Sequence, residues 1–212
     1  LDEVARAARL AMNYGGPRGA RNLIEAIKRF YCEYAIGQLD AATLDKKEVI
    51  IGPSGATSIL DGLADVLEPG IVLTSDPMYY IYCNALERKG FRVVTVPEDD
   101  EGIDTDALAA KLFELGDARK DIAFLYVITV NNPTSTILSN LRREALVGVA
   151  NRLTRQLGRT VPIVFDHAYE LLIHDPDVEP PQSGLLFDTY DNVYEIGTLS
   201  KILAPALRMG YL

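Results

Sequence analysis

Ile122-Ala123-Phe124-Leu125-Tyr126-Val127-Ile128-Thr129 is an almost unbroken apolar run, and Asn131-Asn132-Pro133 follows it after Val130. The run is far too short to cross a membrane, and its length and β-rich composition fit a strand with both faces buried. Such strands belong to parallel sheets covered by helices on either side. Working outward, further strand patterns occur at Val49 to Gly52, Ile71 to Thr74, Phe91 to Val96, Val161 to Phe165, Asn192 to Ile196 and Leu207 to Leu212. Helical periods fill the gaps at Ala56 to Leu67, Met78 to Lys89, Thr105 to Leu115 and Leu141 to Leu157. The alternation predicts an α/β protein, a three-layer αβα sandwich around a mostly parallel, mixed sheet. Glu68-Pro69-Gly70 and Lys89-Gly90 close two of the helices, and Asn140 is placed to cap another.

The chain has 212 residues, enough for one large core or a core plus part of another. Its 48% hydrophobic and 24% charged content is that of an ordinary globular protein. Lys+Arg total 21 against Asp+Glu 30, for a formal charge of -9, with no basic block. Nucleic acid and anionic membrane are therefore not expected partners. No signal peptide opens the sequence, and Cys32 and Cys83 lack any Cys-x-x-Cys spacing, which fits a reduced cytoplasmic protein better than a disulfide framework. His167 and His174 belong to no metal-ligand pattern, so no zinc or iron site is expected.

No repeat or linker divides the chain, and Asp175 to Pro181 reads as a surface loop. A helix-like Leu1 to Met12 leads into the turn-rich Asn13 to Gly19 and an amphipathic helix from about Ala20 to Tyr34. Residues 1–15 are expected to form an N-terminal segment, and residues 16–212 the main domain. Leu212 falls inside a strand pattern with no closing helix, so the fold is expected to continue past it.

Chemistry concentrates at the strand ends. Gly197-Thr198-Leu199-Ser200-Lys201 places a lysine behind small hydroxyl residues, and Arg208 follows seven positions later. A lysine that forms a Schiff base must be desolvated or set beside positive charge, and an arginine fork can grip a phosphate. The pattern suits covalent binding of a phosphorylated aldehyde, pyridoxal phosphate, although a surface lysine in a turn would give the same letters. Gly55-Ala56-Thr57 opens a helix at a strand end, where backbone N–H groups can face an anion. Asp76-Pro77-Met78-Tyr79-Tyr80-Ile81-Tyr82 offers Tyr79 as a ring to stack on a flat ligand, while Tyr80 and Tyr82 are expected to pack the helix onto the sheet. Asn132 lies just past the Ile122 to Thr129 strand, where ligands bind in open α/β sheets. Asp166-His167-Ala168-Tyr169 follows Val161 to Phe165, and a carboxylate buried there needs a partner. A protonated pyridine nitrogen would serve, and so would a helix start capped by the aspartate.

Taken in order, these clusters resemble the class I/II aminotransferases, the fold-type I pyridoxal-phosphate enzymes, over about Tyr14 to Tyr211. The resemblance implies that Lys201 binds the cofactor and moves a proton, that Thr198 and Ser200 are the two cofactor-side hydroxyl positions before it, and that Arg208 binds the phosphate together with Gly55, Ala56 and Thr57. It further implies that Asp166 partners the pyridine nitrogen, that Asn132 and Tyr169 bond the phenolic oxygen, and that Ala168 and Tyr79 cover the ring faces. Tyr14 resembles the tyrosine that reaches a neighbouring subunit's phosphate, which implies a homodimer with shared sites. The chain would then be the large domain without the small C-terminal one, and its substrates an amino acid and a 2-oxo acid. Departures from the family pattern are Thr129-Val130-Asn131-Asn132-Pro133-Thr134-Ser135 for Asn-Pro-x-Asn-Pro-Thr-Gly, Pro205-Ala206 for Pro-Gly, and His167 after the aspartate. They bear on the substrate more than on the cofactor. Gly55-Ala56-Thr57 and Tyr79-Tyr80 also resemble the aminocyclopropane-carboxylate synthase branch, a lyase or cyclase of the same fold. A third alternative is a sensor domain of the kind fused to DNA-binding domains in transcription regulators.

Overall fold

A computed structural model describes residues 14–33 and 39–212. The helix expected over Leu1 to Met12 lies outside the described residues, as does Tyr34 at the end of the next one. Early elements are α1 (Arg21–Glu33), α2 (Ala41–Asp45), β1 (Ile51–Gly52), α3 (Ala56–Val66), β2 (Ile71–Asp76), α4 (Tyr80–Arg88), β3 (Arg92–Asp99) and β4 (Gly102–Ile103). They are followed by α5 (Thr105–Leu115), β5 (Ile122–Ile128), α6 (Asn140–Leu157), β6 (Ile163–Asp166), β7 (Val193–Thr198) and β8 (Gly210–Tyr211). Short 3-10 turns occur at Glu170–Leu172, Gly184–Phe187 and Pro205–Leu207.

The strands form one sheet in the order β1-β8-β7-β6-β5-β2-β3-β4. The five from β7 to β3 run parallel, while β8, β1 and β4 pair antiparallel at the margins. The sheet is thus mostly parallel and mixed, as the alternation predicts. Its faces are both covered. Leu125, Val127, Ile163 and Phe165 pack with Leu146, Val147 and Ala150 of α6 on one side. Phe124, Tyr126, Ile128 and Val164 pack with Ile59, Leu60 and Tyr82 of α3 and α4 on the other. Burying one such side chain contributes about 1.5–3 kcal/mol, more than the ~1 kcal/mol span of strand propensity, so two-sided burial decides where β5 lies.

Helix starts follow local side-chain chemistry. Asp104 opens α5 by accepting from the N–H groups of Asp106 (2.8 Å) and Ala107 (3.0 Å). Ser139, not the expected Asn140, caps α6 by accepting from Arg142 N–H at 3.2 Å. Asn140 is the first helical residue. Its amide accepts from Gln182 N–H (2.8 Å) and donates to the Pro180 carbonyl (3.1 Å), which ties down the end of the Pro-rich loop. β8 is shorter than the pattern Leu207 to Leu212, because Pro205–Leu207 turns and Arg208 takes a left-handed φ of 50°. α2 and β4 are too short to show a period, and the sequence reading does not include them.

Among the described residues no helix is long and apolar enough to cross a membrane, and no group of three or more His, Cys, Asp or Glu side chains is placed to hold a metal. Cys32 and Cys83 are free thiols.

Candidate cofactor site

The parallel strands place their carboxyl ends along one rim of the sheet. β6 ends at Asp166, β7 at Thr198, and β5 two residues before Val130, so the loops that follow converge there. A cavity of about 270 Å³ opens at this rim. Asp166, Ala168 and Tyr169 line it from the loop after β6, and Thr198, Ser200 and Lys201 from the loop after β7. Gly55, Ala56 and Thr57 contribute from the start of α3, with Leu60, Tyr79, Ile128, Asn132 and Arg208 completing the set. Tyr14 stands apart and is fully exposed, and its expected role is toward a second copy's site rather than its own.

The side of the cavity at α3 is built for an anion. Gly55 precedes the helix with φ 73°, and no side chain caps the helix start. The first N–H groups of α3 and the positive end of its dipole are therefore available to a ligand. Arg208 stands beside them. Its Nη2 donates to the Ser54 carbonyl at 2.7 Å, and its own carbonyl accepts from Gly55 N–H at 2.9 Å. This close meeting of backbones requires Gly210, where a Cβ would fall 2.4 Å from the Gly55 carbonyl carbon and 2.6 Å from Ala56 N. Thr198 Oγ1 donates to the Met209 carbonyl (2.9 Å) and accepts from Ser200 N–H (3.1 Å), which fixes the turn leading into Lys201.

Beneath lies a buried carboxylate. Asp166 is 5% exposed, and its Oδ2 accepts from the Tyr126 hydroxyl at 2.8 Å while Oδ1 accepts from Ala168 N–H at 2.9 Å. Burial raises its carboxyl above the ordinary carboxylate range, against the opposing pull of those two donors and of His167 and Lys201. Lys201 Nζ lies 4.9 Å from the centre of the Tyr169 ring. Tyr79 is half-buried, and its phenol is raised first by burial and then by the neighbouring Tyr169. The arrangement offers one amine, one arginine, one buried carboxylate and aromatic surface to a flat anionic molecule.

The aminotransferase class I and II model matches residues 1–212. The chain belongs to that family. An aromatic-amino-acid aminotransferase of Thermococcus litoralis is 30% identical over 209 residues, covering 95% of this chain and 46% of the relative. An uncharacterized HTH-type transcriptional regulator of Bacillus subtilis, YisV, is 27% identical over 96% of this chain and 38% of its own length. The crystal structure of a multiple substrate aminotransferase from Thermococcus profundus matches with a TM-score of 0.83 at 29% identity, over 99% of this chain and 49% of that one. The chain thus spans half or less of the length of these relatives, and its α/β architecture is that of the aminotransferase fold.

Within this aminotransferase-family fold, several side chains that the sequence reading passes over hold the site together. Tyr126 reads as one more apolar strand residue, yet its hydroxyl anchors Asp166. The strand's alternation is the signal that could have found it, since Phe124, Tyr126 and Ile128 share one face and that face leads to the rim. Asn131, beside the expected Asn132, is buried and donates to the Pro77 carbonyl (2.9 Å) and Glu98 Oε2 (2.6 Å), joining the loops after β2 and β5. Tyr82 packs inward as expected, its ring 4.8 Å from that of Tyr126, but Tyr80 is 69% exposed and does not. The first turn of α4 faces Tyr80 outward while Met78 and Tyr82 take the buried positions.

Proposed function

We propose that this chain is the cofactor-binding part of a pyridoxal-phosphate-dependent aminotransferase, which moves an amino group between an amino acid and a 2-oxo acid. The observation that carries the reading is the meeting of Lys201, buried Asp166 and Arg208 with the uncapped start of α3 in one cavity. The donor set suits the cofactor. The N–H groups of Ala56 and Thr57, the Thr57 and Ser200 hydroxyls and the Arg208 guanidinium would hold its phosphate. Asp166, buried with a carboxyl that favours a cationic neighbour, would pair with the ring nitrogen. Ala168 and Tyr79 would bracket the ring, and Asn132 and Tyr169 would bond its phenolic oxygen.

When bound, pyridoxal phosphate supplies an electron-poor ring that accepts the electron pair left as an amino acid Cα loses its proton. The protein's own contributions are positional. Lys201 is the lysine among the cavity-lining residues, and it would attach the cofactor and then hold and move the proton at Cα. Asp166 would keep a proton on the ring nitrogen, with Tyr126 and Ala168 N–H fixing the carboxylate's direction. Tyr14, fully exposed, and the exposed Leu203 (69%) and Leu207 (52%) on the Lys201–Arg208 loop support a homodimer with shared sites. The free thiols support a reducing, cytoplasmic location.

Borohydride reduction of the full-length protein with pyridoxal phosphate, followed by peptide mapping, should place the cofactor on Lys201. A label elsewhere, or none, overturns the assignment. Stoichiometric 2-oxo acid from a single turnover is the expected product. The similarity to an HTH-type regulator favours one second reading, a sensor domain that keeps the cofactor but serves a DNA-binding partner domain. Operator binding by the full-length protein without amino-acid turnover would select that reading.

A further inference from the structure

Behind Asp166, on the opposite face of the sheet, a charged cluster is largely buried. Arg143, in the first turn of α6, is 0% exposed, and its Nη2 donates to Glu170 Oε2 at 2.8 Å. Its Nη1 stands 3.3 Å from His167 Nε2, and the guanidinium carbon lies 5.5 Å from the Phe165 ring centre. His167 is also 3.7 Å from Glu170 Oε1 and 3.8 Å from Glu195 Oε1. Glu195 in turn accepts from Gly184 N–H (2.7 Å) and Ser183 Oγ (2.8 Å), which carries the cluster onto β7 and the turn beside it.

A buried arginine–glutamate pair is weak evidence of net stabilisation, because desolvation offsets its attraction and apolar residues of similar volume often serve as well. What distinguishes this pair is where it attaches. Phe165 and His167 flank Asp166 directly, and Glu170 follows Tyr169. The cluster therefore grips the chain immediately before and after the two side chains that line the cavity from the other face. Backbone bonds complete the clamp: His167 N–H donates to the Ile196 carbonyl (2.8 Å), and Thr129 N–H to the Asp166 carbonyl (3.0 Å). Burial pushes Glu170 up, yet His167 and Arg143 together hold it below the ordinary range, so the pair is charged in place.

We propose that Arg143 is a positioning residue, which, fixed between Glu170 and His167 behind the sheet, sets the turn from Asp166 to Tyr169 so that both side chains face the cavity together. This rests on the pyridoxal-phosphate reading. The test uses the full-length protein, freed of cofactor and titrated with pyridoxal phosphate, with visible circular dichroism reporting the orientation of the bound ring. Arg143→Met alone strands a buried carboxylate and should lower both melting temperature and affinity. The pair Arg143→Met with Glu170→Leu removes both charges and should recover the melting temperature, while binding stays weaker by roughly 10-fold or more, the scale seen when partners that orient ligands at metal sites are removed. Arg143→Lys should recover affinity in part. A double variant that matches the wild type in melting, affinity and dichroism overturns the proposal. If that variant does not fold, Glu170→Gln, which keeps the shape, must still weaken binding and change the dichroism, and wild-type behaviour there overturns it equally. Wild-type protein that binds no pyridoxal phosphate removes the underlying reading as well, whereas wild-type binding with unaltered variants removes this inference alone.

Discussion

Replacing Tyr126 by phenylalanine isolates one hydrogen bond buried beneath the cavity. The ring is fully buried and packed on Tyr82, so phenylalanine keeps the packing and deletes only the hydroxyl that donates to Asp166 Oδ2 at 2.8 Å. Asp166 then keeps Ala168 N–H as its remaining donor from the protein. A hydrogen bond to a charged group contributes about 1.5–3 kcal/mol, which corresponds to about 10- to 150-fold in an equilibrium constant. If the carboxylate's charge pairs with the cofactor ring, pyridoxal phosphate affinity should fall by that factor, read from absorbance titrations of the cofactor-free protein. A double-mutant cycle with Asp166→Asn locates the effect. In the Asn background the hydroxyl has no carboxylate to support, so Tyr126→Phe should then change little. An equal loss in both backgrounds, or no loss in the wild type, refutes the argument that Tyr126 acts through Asp166.

Other outcomes follow from the same geometry. Because burial raises Asp166, its contribution to the cofactor-free fold is intact at pH below the ordinary carboxylate value of about 4 and is lost as pH rises through the folded value; Asp166→Asn lacks that loss, so the variant's melting temperature should gain on the wild type with rising pH while cofactor binding collapses. Gly210→Ala drives a Cβ into the backbone of Gly55 and Ala56 and should destabilise by about 1–3 kcal/mol in chemical denaturation, with weakened phosphate binding; wild-type stability would show that the two loops part easily. Asn131→Ala deletes the bonds to the Pro77 carbonyl and Glu98, which keep Ser75 Oγ and Thr136 Oγ1 as donors, for a loss of about 1–3 kcal/mol measured in the same way.

The sequence was most legible where one physical signal acted alone. The α5 limits Thr105 and Leu115 coincide with the pattern because Asp104 caps the start and Gly116 ends it. β5 was readable from two-sided burial, and the cavity residues from small or polar letters just past strand ends. Elsewhere a residue's letter and its surroundings disagree. Arg143 sits in Leu141-Arg142-Arg143-Glu144, where one arginine, Arg142, reaches Asp99 at the surface and the next is sealed in the core. Helical phase separates them, since Arg143 shares the face of Leu146, Val147 and Ala150, but an arginine on that face does not announce that it is buried. Tyr126 and Phe124 are near-equivalents in the pattern, and only the position of Asp166 on the adjoining strand distinguishes them.

The register between β7 and β8 carries a consequence for how this segment can vary. Gly197 pairs with Tyr211 and Thr198 with Gly210, so both ends of the intervening loop are nailed to the sheet. Surface loops ordinarily accept insertions and deletions with little penalty. Here a single added residue would move Lys201 relative to Arg208, or slip the ladder and turn Tyr211 to the wrong face. The segment should thus vary by exchange of letters and keep its length, behaving as a ruler between amine and guanidinium.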